Sequence, residues 1–195
     1  MRPVKLSAAT TVDMTREYFD ENDILLIPTI IIIDGEEYAD DYEQITPRFL
    51  YDKIREGKLP TTSGNGTMDY YENWKKIVED GYDIVHIDLS SGLSGTHNSA
   101  VMAADMIEDE VGEKRVYVPD TLAASSGEGL ILDYANDLKN EGKSASEIYD
   151  CILKDRMKVN HWFTLSDFSH LFRGGRVSKT TVSYTHLRAH ETLRY

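Results

Sequence analysis

Three serines and two glycines stand together in the segment SSGLSG, which runs from Ser90 to Gly95. It follows Ile84–Leu89, an apolar, β-branched run typical of a buried strand, and precedes a stretch with helical apolar spacing that starts at Thr96. In a strand–loop–helix unit, the first N–H groups of the helix are unpaired and lie at its positive end. Together with the serine hydroxyls, these groups are suited to binding an anion. We therefore expect an anionic head group here, in particular a carboxylate; helix capping alone is the alternative role of the serines.

The same segment is close to the nucleophile motif G-x-S-x-G of serine hydrolases, with Ser94 at the serine position. Thr96 stands where the motif has its final glycine. A serine nucleophile also needs a base, but His86 lies in the predicted strand and His97 is too close to Ser94 in sequence. The segment lacks the lysine of a phosphate-binding loop, and no spacing of histidine, cysteine and acidic residues fits a metal site. We expect no catalytic residue, metal or cofactor, and a serine-based hydrolase or acyltransferase using Ser94 is the alternative.

Strand and helix patterns alternate along the chain around this segment. The apolar face of the helix that follows it is formed by Ala100, Ala103, Ala104 and Ile107. Ile30–Ile33 predicts a strand, and Asp34-Gly35 predicts a hairpin turn after it. Leu59–Gly66 has the composition of an irregular loop. The pattern predicts an α/β fold: an N-terminal domain with a largely parallel sheet flanked by helices, followed by the start of a second α/β domain.

Composition excludes several classes of protein. The chain has 195 residues and a formal charge of −13, and an acidic surface repels phosphate backbones, so we expect no nucleic-acid partner. The single cysteine, Cys151, excludes an internal disulfide framework and indicates a reducing environment. The longest apolar stretch, Ile24–Ile33, is too short to span a bilayer, and the N-terminus lacks the apolar region of a secretory signal. We expect a soluble, cytoplasmic protein.

Five separated segments together resemble the DegV family of bacterial fatty-acid-binding proteins: PTIIIIDGEEYADD (28–41), LPTTSG (59–64), DLSSGLSGTHNSA (88–100), VPDTLAASSGEGL (118–130) and FRGGRVSK (172–179). The resemblance implies a long-chain fatty acid buried between two α/β domains. Carried over by motif, Thr62 and Ser94 hold its carboxylate. It also implies contributions from the backbone N–H groups of Ser94 and Gly95, with Ser91 as a further candidate.

The resemblance also implies a protein partner. Some members of the family present the acyl carboxylate to a separate ATP-binding fatty acid kinase subunit, which makes acyl phosphate. Arg173 and Arg176 match the RGGR turn of the family and are expected to steer the anion or to dock the kinase subunit. Ion pairing within this acidic chain is the alternative role of these arginines. A further hypothesis is a lipid-containing regulatory module that binds another protein through this turn. We expect a monomer, with the fatty acid as its ligand.

Family members continue beyond the RGGR turn, and this chain departs from them at three places. Residues 1–158 are predicted to form the domain with the head-group site, 159–182 to begin an incomplete second domain, and 183–195 to be a non-native tail that resembles translated sequencing-adapter DNA. Ala9-Thr10-Thr11 stands where the family has D-S-T, so the aspartate is lost. Gly64-Asn65 replaces Gln-Pro after the Thr62-Ser63 pair, which predicts a looser loop.

Overall fold

The computed structural model describes residues 2–164, 171–172 and 174–175. Its strands are β1 (Val4–Ala9), β2 (Leu25–Ile27), β3 (Ile30–Ile33), β4 (Glu36–Ala39), β5 (Thr61–Ser63), β6 (Asp83–Ile87) and β7 (Val116–Tyr117). Its helices are α1 (Arg16–Glu21), α2 (Pro47–Arg55), α3 (Thr67–Glu79), α4 (Thr96–Val111), α5 (Ser125–Asn140) and α6 (Ala145–Asp155), and short 3₁₀ helices lie at Thr10–Val12 and Arg156–Lys158.

Four of these strands form a sheet in the order β2-β1-β6-β7, and all of its pairings are parallel. This confirms the predicted α/β fold with a parallel sheet flanked by helices. Since the strands are parallel, the loops that follow them gather at one edge of the sheet. The serine segment follows β6 and therefore lies at that edge, as does Thr10, which follows β1.

Both faces of the parallel sheet are covered by helices. Val85 and Ile87 of β6 pack in one core with residues of α5 and α6, whereas Ile84 packs in another with residues of α3 and α4. A strand buried on both faces has an almost continuous apolar sequence, which explains the run that precedes the serine segment. The predicted apolar face of α4 is buried in the second core, as shown by Ala100, Ala103, Ala104 and Ile107.

A second, antiparallel sheet has the order β4-β3-β5. Asp34 and Gly35 join β3 to β4 with φ values of 54° and 88°, which is the pair of positive φ angles that a type I′ hairpin turn requires. The hairpin predicted from this dipeptide is therefore confirmed.

The prediction of an irregular loop over Leu59–Gly66 is wrong for its middle part, because residues 61–63 form β5. Thr62 pairs with Ile31 of β3 in the antiparallel register. All three side chains of this strand are exposed, so it has no apolar alternation from which it can be recognised. Backbone pairing with β3 holds the strand in place.

The chain divides into two compact units, residues 1–161 and residues 162–195. The domain boundary predicted at residue 158 stays a prediction, and so does the non-native character of residues 183–195, which lie outside the described residues. Among the residues that the structure describes, no helix is long and apolar enough to cross a membrane.

Candidate carboxylate-binding site

The serine segment is folded by hydrogen bonds to its own first residue. The N–H groups of Leu93 and Ser94 donate to the carbonyl oxygen of Ser90 at 2.9 and 3.2 Å, and Gly92 N–H donates to Ser90 Oγ at 3.2 Å. Gly95 directly precedes α4, and within the described part of the chain its N–H group forms no hydrogen bond. Of the two backbone donors expected from the resemblance, that of Ser94 is thus occupied inside the loop and that of Gly95 is free.

The Ser94 side chain is half-buried at the start of α4. Its Oγ atom accepts a hydrogen bond from the N–H group of Thr96 at 3.3 Å and lies 3.2 Å from Thr96 Oγ1. The oxygen of Ser94 therefore caps the first turn of the helix, while its proton is available to a second acceptor. Helix capping and anion binding are compatible roles for this side chain.

Asp88, directly after β6, is a fully buried acid next to this segment. Its Oδ2 accepts a hydrogen bond from the Tyr70 hydroxyl at 2.8 Å, and its Oδ1 accepts one from Leu89 N–H at 2.7 Å. The hydroxyl of Thr96 donates to the same Oδ1 at 3.2 Å. The Asp88 carbonyl oxygen accepts a hydrogen bond from the Thr121 hydroxyl at 2.9 Å, which ties the loop after β7 to the end of β6.

The pKa of Asp88 is lowered despite its burial. Burial by itself raises the pKa of a carboxyl, but His86, Tyr70 and the N–H group of Leu89 outweigh this effect because they stabilise the carboxylate. His86 acts through its proximity and not through a hydrogen bond, because its Nε2 lies 3.7 Å from Asp88 Oδ2. Asp88 is therefore ionised at neutral pH and can only accept hydrogen bonds.

Neither histidine near this segment forms a hydrogen bond with the Ser94 hydroxyl in the described part of the chain. His86 is buried in β6, and its Nδ1 lies 3.0 Å from Ser7 Oγ. Both ring nitrogens of His97 are buried without a hydrogen-bond partner in the described part of the chain. Among the described residues, the geometry thus does not supply the base that the hydrolase hypothesis requires.

Gly64 brings the loop after β5 against the start of α4. A Cβ atom built at position 64 would lie 2.6 Å from Thr96 Cγ2 and 3.9 Å from Ser94 Oγ. Thr62 lies two residues earlier, about 7 Å along an extended strand. Its side chain is exposed, and its hydroxyl has no hydrogen-bond partner within the described residues. The fold thus brings the end of β5, which carries Thr62, close to the serine segment, which carries Ser94, while the roles of both hydroxyls in binding stay predictions.

Ser91 has a different set of contacts. Its hydroxyl donates to Asp120 Oδ2 at 2.6 Å, and its N–H group donates to Asp120 Oδ1 at 3.1 Å. Burial raises the pKa of Asp120, but these two hydrogen bonds and one from Leu122 N–H outweigh it, so the pKa is lowered. Asp120 thus fixes the start of the serine segment. It accepts a hydrogen bond from the Ser91 hydroxyl, which the sequence analysis named as a candidate donor to the carboxylate.

The remaining predicted site residues, Arg173 and Arg176, lie outside the described residues. Within the described part of the chain, no group of three or more histidine, cysteine and acidic side chains is arranged to hold a metal ion. A surface cavity of about 370 Å³ lies beside β1, β2 and α1, and neither Thr62 nor Ser94 is among its lining residues. Its cationic lining residues, Lys5 and Arg16, form ion pairs with carboxylates, so it does not offer an alternative anion site.

Sequence reasoning missed Asp88 and Thr96 as parts of this site. Both are buried polar residues whose partners come from distant positions, such as Tyr70 on α3. One feature of the sequence could have identified Asp88. It follows a central parallel strand at its carboxyl end, where ligand sites of α/β folds are found.

Comparisons with known proteins identify related sequences and structures. A profile of the family described as "Uncharacterised protein, DegV family" matches residues 4–184. A DegV domain-containing protein from Clostridium perfringens is 32% identical, covering 100% of this chain and 67% of the relative. A second one, from Streptococcus pyogenes, is 30% identical and covers 87% of this chain and 60% of the relative.

Two solved structures have related sequences and the same fold. A DegV family protein from Thermus thermophilus, characterised for fatty acid binding, superimposes with a TM-score of 0.79 at 29% identity, covering 93% of this chain and 62% of that one. A protein from Thermotoga maritima whose structure reveals a fatty acid binding function has a TM-score of 0.69 at 33% identity, covering 81% and 56%. The chain thus spans 56–67% of the length of these proteins.

Proposed function

The chain belongs to the DegV family, and on that premise we propose that it binds a long-chain fatty acid, with the carboxylate held by Thr62 and Ser94. The solved relatives from Thermus thermophilus and Thermotoga maritima are fatty-acid-binding proteins. In this chain the free N–H group of Gly95 is the third donor to the head group.

The close approach at Gly64 is the observation that carries the proposal. Gly64, which follows β5 and lies two residues after Thr62, packs against Thr96 and lies close to Ser94, so hydroxyls from two distant parts of the chain are near each other. Neutral hydroxyl and N–H donors at a helix N-terminus form charge-assisted hydrogen bonds with a carboxylate, and they need no ion pair to do so. This matters in a chain with a net charge of −13, because the attraction for the head group is then local.

Affinity for a long acyl chain comes from burying its tail. Each CH₂ group removed from water contributes about 0.8 kcal/mol, so an apolar tail supplies most of the binding free energy and the head group supplies selectivity. The chain spans only part of the length of its relatives. The proposal therefore includes an apolar wall that buries the whole tail.

The same arrangement suits presentation of the fatty acid to an ATP-binding kinase subunit. Hydrogen bonds hold the carboxylate without a covalent bond, so one of its oxygens is left able to attack the γ-phosphorus of ATP. The products are acyl phosphate and ADP. We include this partner in the proposal, together with a role for Arg173 and Arg176 in docking it.

Ligand extraction tests fatty-acid binding directly. The 195-residue chain is purified from two unrelated hosts, and its intact mass is measured under native and denaturing conditions. We expect a mass difference that corresponds to an acyl chain, with the fatty acid recovered in the organic extract. The delipidated chain should then rebind palmitate. No lipid from either host, together with no binding of added palmitate or oleate, would refute the proposal.

Trapping with hydroxylamine tests the kinase step, because hydroxylamine converts acyl phosphate to a hydroxamate. We expect no hydroxamate from the loaded chain with ATP alone and hydroxamate when the ATP-binding partner from the same genome is added. Hydroxamate from the loaded chain alone would contradict the proposed division of labour.

A further inference from the structure

Thr96 contacts Ser94 and also Gly64, which directly follows the strand that carries Thr62. Its side chain is buried, and its Oγ1 lies 3.2 Å from Asp88 Oδ1 and 3.2 Å from Ser94 Oγ. Its N–H group donates to Ser94 Oγ at 3.3 Å. Its methyl carbon occupies the space beside Gly64, where a Cβ atom would lie only 2.6 Å away.

The direction of the Thr96 hydroxyl is set by Asp88. A carboxylate cannot donate, and charged acceptors form stronger hydrogen bonds than neutral ones, so the Thr96 proton is directed to Asp88. Threonine carries its hydroxyl and its methyl on the same Cβ, and a single torsion angle therefore places both groups. By fixing the hydroxyl, Asp88 also fixes the methyl that contacts Gly64.

The same arrangement makes the Ser94 hydroxyl a donor. Because the Thr96 proton goes to Asp88, Ser94 can donate to Thr96 Oγ1, 3.2 Å away, and a charged carboxylate is a stronger competing acceptor. The oxygen of Ser94 accepts the Thr96 N–H group, and hydrogen bonding to this oxygen makes its own O–H group a better donor. Thr96 thus acts on both proposed binding residues: its backbone N–H group orients Ser94, and its methyl group sets the distance to the loop that follows Thr62.

We propose that Thr96, held by Asp88, is a positioning residue that sets the spacing of Thr62 and Ser94 and so determines selectivity for a carboxylate head group. The inference rests on the proposed fatty-acid binding. It adds a residue that touches no ligand itself and acts through its two neighbours.

Two substitutions separate the two contacts of the side chain. Thr96→Val keeps the branched shape and removes the hydroxyl, whereas Thr96→Ser keeps the hydroxyl and removes the methyl. We expect each to weaken palmitate binding about tenfold, because the displaced Thr62 or Ser94 hydroxyl then loses its hydrogen bond to the carboxylate. Binding of 1-hexadecanol, which has the same tail and no charge, should change by less than about twofold. Thr67→Val and Thr67→Ser at the start of α3 are the matched controls.

Hydrogen exchange supplies a readout that needs no ligand. In the lipid-free chain, Thr96→Val and Thr96→Ser should each accelerate amide exchange in residues 61–66 relative to the wild type and the Thr67 variants. Exchange and palmitate-to-hexadecanol selectivity that both match the wild type would overturn the inference, even where the wild type binds palmitate. A wild type that binds no palmitate refutes the proposed function instead, and the exchange data still decide whether Thr96 links the two loops.

Discussion

Gly64 and Thr96 approach each other so closely that a Cβ atom at position 64 would lie 2.6 Å from Thr96 Cγ2. The need for glycine here comes from space, since the φ angle of Gly64 is outside the left-handed region. Rotation of the Thr96 side chain would relieve the clash, but it would break the hydrogen bond to Asp88. An added methyl at position 64 must therefore push the two loops apart.

Gly64→Ala is expected to weaken palmitate binding at least tenfold and to lower the free energy of unfolding by about 1–3 kcal/mol, the usual cost of an overpacked contact. Competition against a fluorescent fatty acid and urea unfolding measure the two effects. Gly66→Ala is the matched control, because its Cβ would lie 3.5 Å from Asp69 Oδ2, an ordinary contact. Equal palmitate affinities for the two variants would contradict the role assigned to the close approach.

Thr62→Ala and Ser94→Ala are each expected to weaken palmitate binding by about 1–3 kcal/mol, because a charged acceptor loses one hydrogen-bond donor. Titration calorimetry of the delipidated chain measures the change. Thr61→Ala is the control for Thr62, since successive side chains of a strand point to opposite faces and Thr61 is also exposed. Unchanged affinity in either variant would remove that residue from the site.

Local signals in the sequence predict much of this fold. The hairpin at Asp34-Gly35 follows from a dipeptide that accepts positive φ angles, and the buried face of α4 follows from helical spacing. The capping box of Ser144 and Glu147 at the start of α6 is equally local, and both of its hydrogen bonds form. Each of these features depends on residues that are close together in the sequence.

The parts that the sequence does not predict depend on distant contacts. Strand β5 exists because its backbone pairs with β3, although its side chains are all exposed. Asp88 is kept ionised in a buried position by donors that include Tyr70 from α3. The geometry of the site arises where Gly64 and Thr96 meet, 32 positions apart. Such pairings depend on tertiary structure and have no periodicity from which to infer them.

Tyr70→Phe is expected to lower the free energy of unfolding at pH 7 by about 1–3 kcal/mol, because it removes a donor to the buried Asp88 carboxylate. Since the pKa of Asp88 is lowered in the folded chain, this stabilisation is present above the unfolded-state pKa and is lost as the pH falls through the folded-state pKa. The difference from wild type should therefore be smaller at pH 3 than at pH 7 in urea unfolding. Tyr82→Phe, at a more exposed tyrosine, is the control. An equal difference at both pH values would contradict this account of Asp88.

Glu128 on α5 is a second buried acid, and its chemistry is opposite to that of Asp88. One oxygen accepts the Thr11 hydroxyl at 2.9 Å, while Oε2 has no partner in the described part of the chain. Burial raises the pKa of Glu128 to about 9; the Thr11 hydrogen bond opposes this rise, and the nearby charges of Asp88 and Asp13 add to it. Glu128 is therefore protonated at neutral pH, whereas Asp88 is ionised.

Glu128→Gln is expected to change the pH dependence of stability. From pH 4.5 to about 9 the folded chain holds a proton on Glu128 that the unfolded chain has lost, so ionisation of this group makes the wild type less stable as pH rises. The slope is at most about 1.4 kcal/mol per pH unit. Glutamine cannot ionise, so the variant should gain stability relative to wild type between pH 5 and pH 8 in urea unfolding. Glu72→Gln, at an exposed position of α3, should show no such gain. Parallel curves for Glu128→Gln and wild type would mean that Glu128 is ionised in the folded chain.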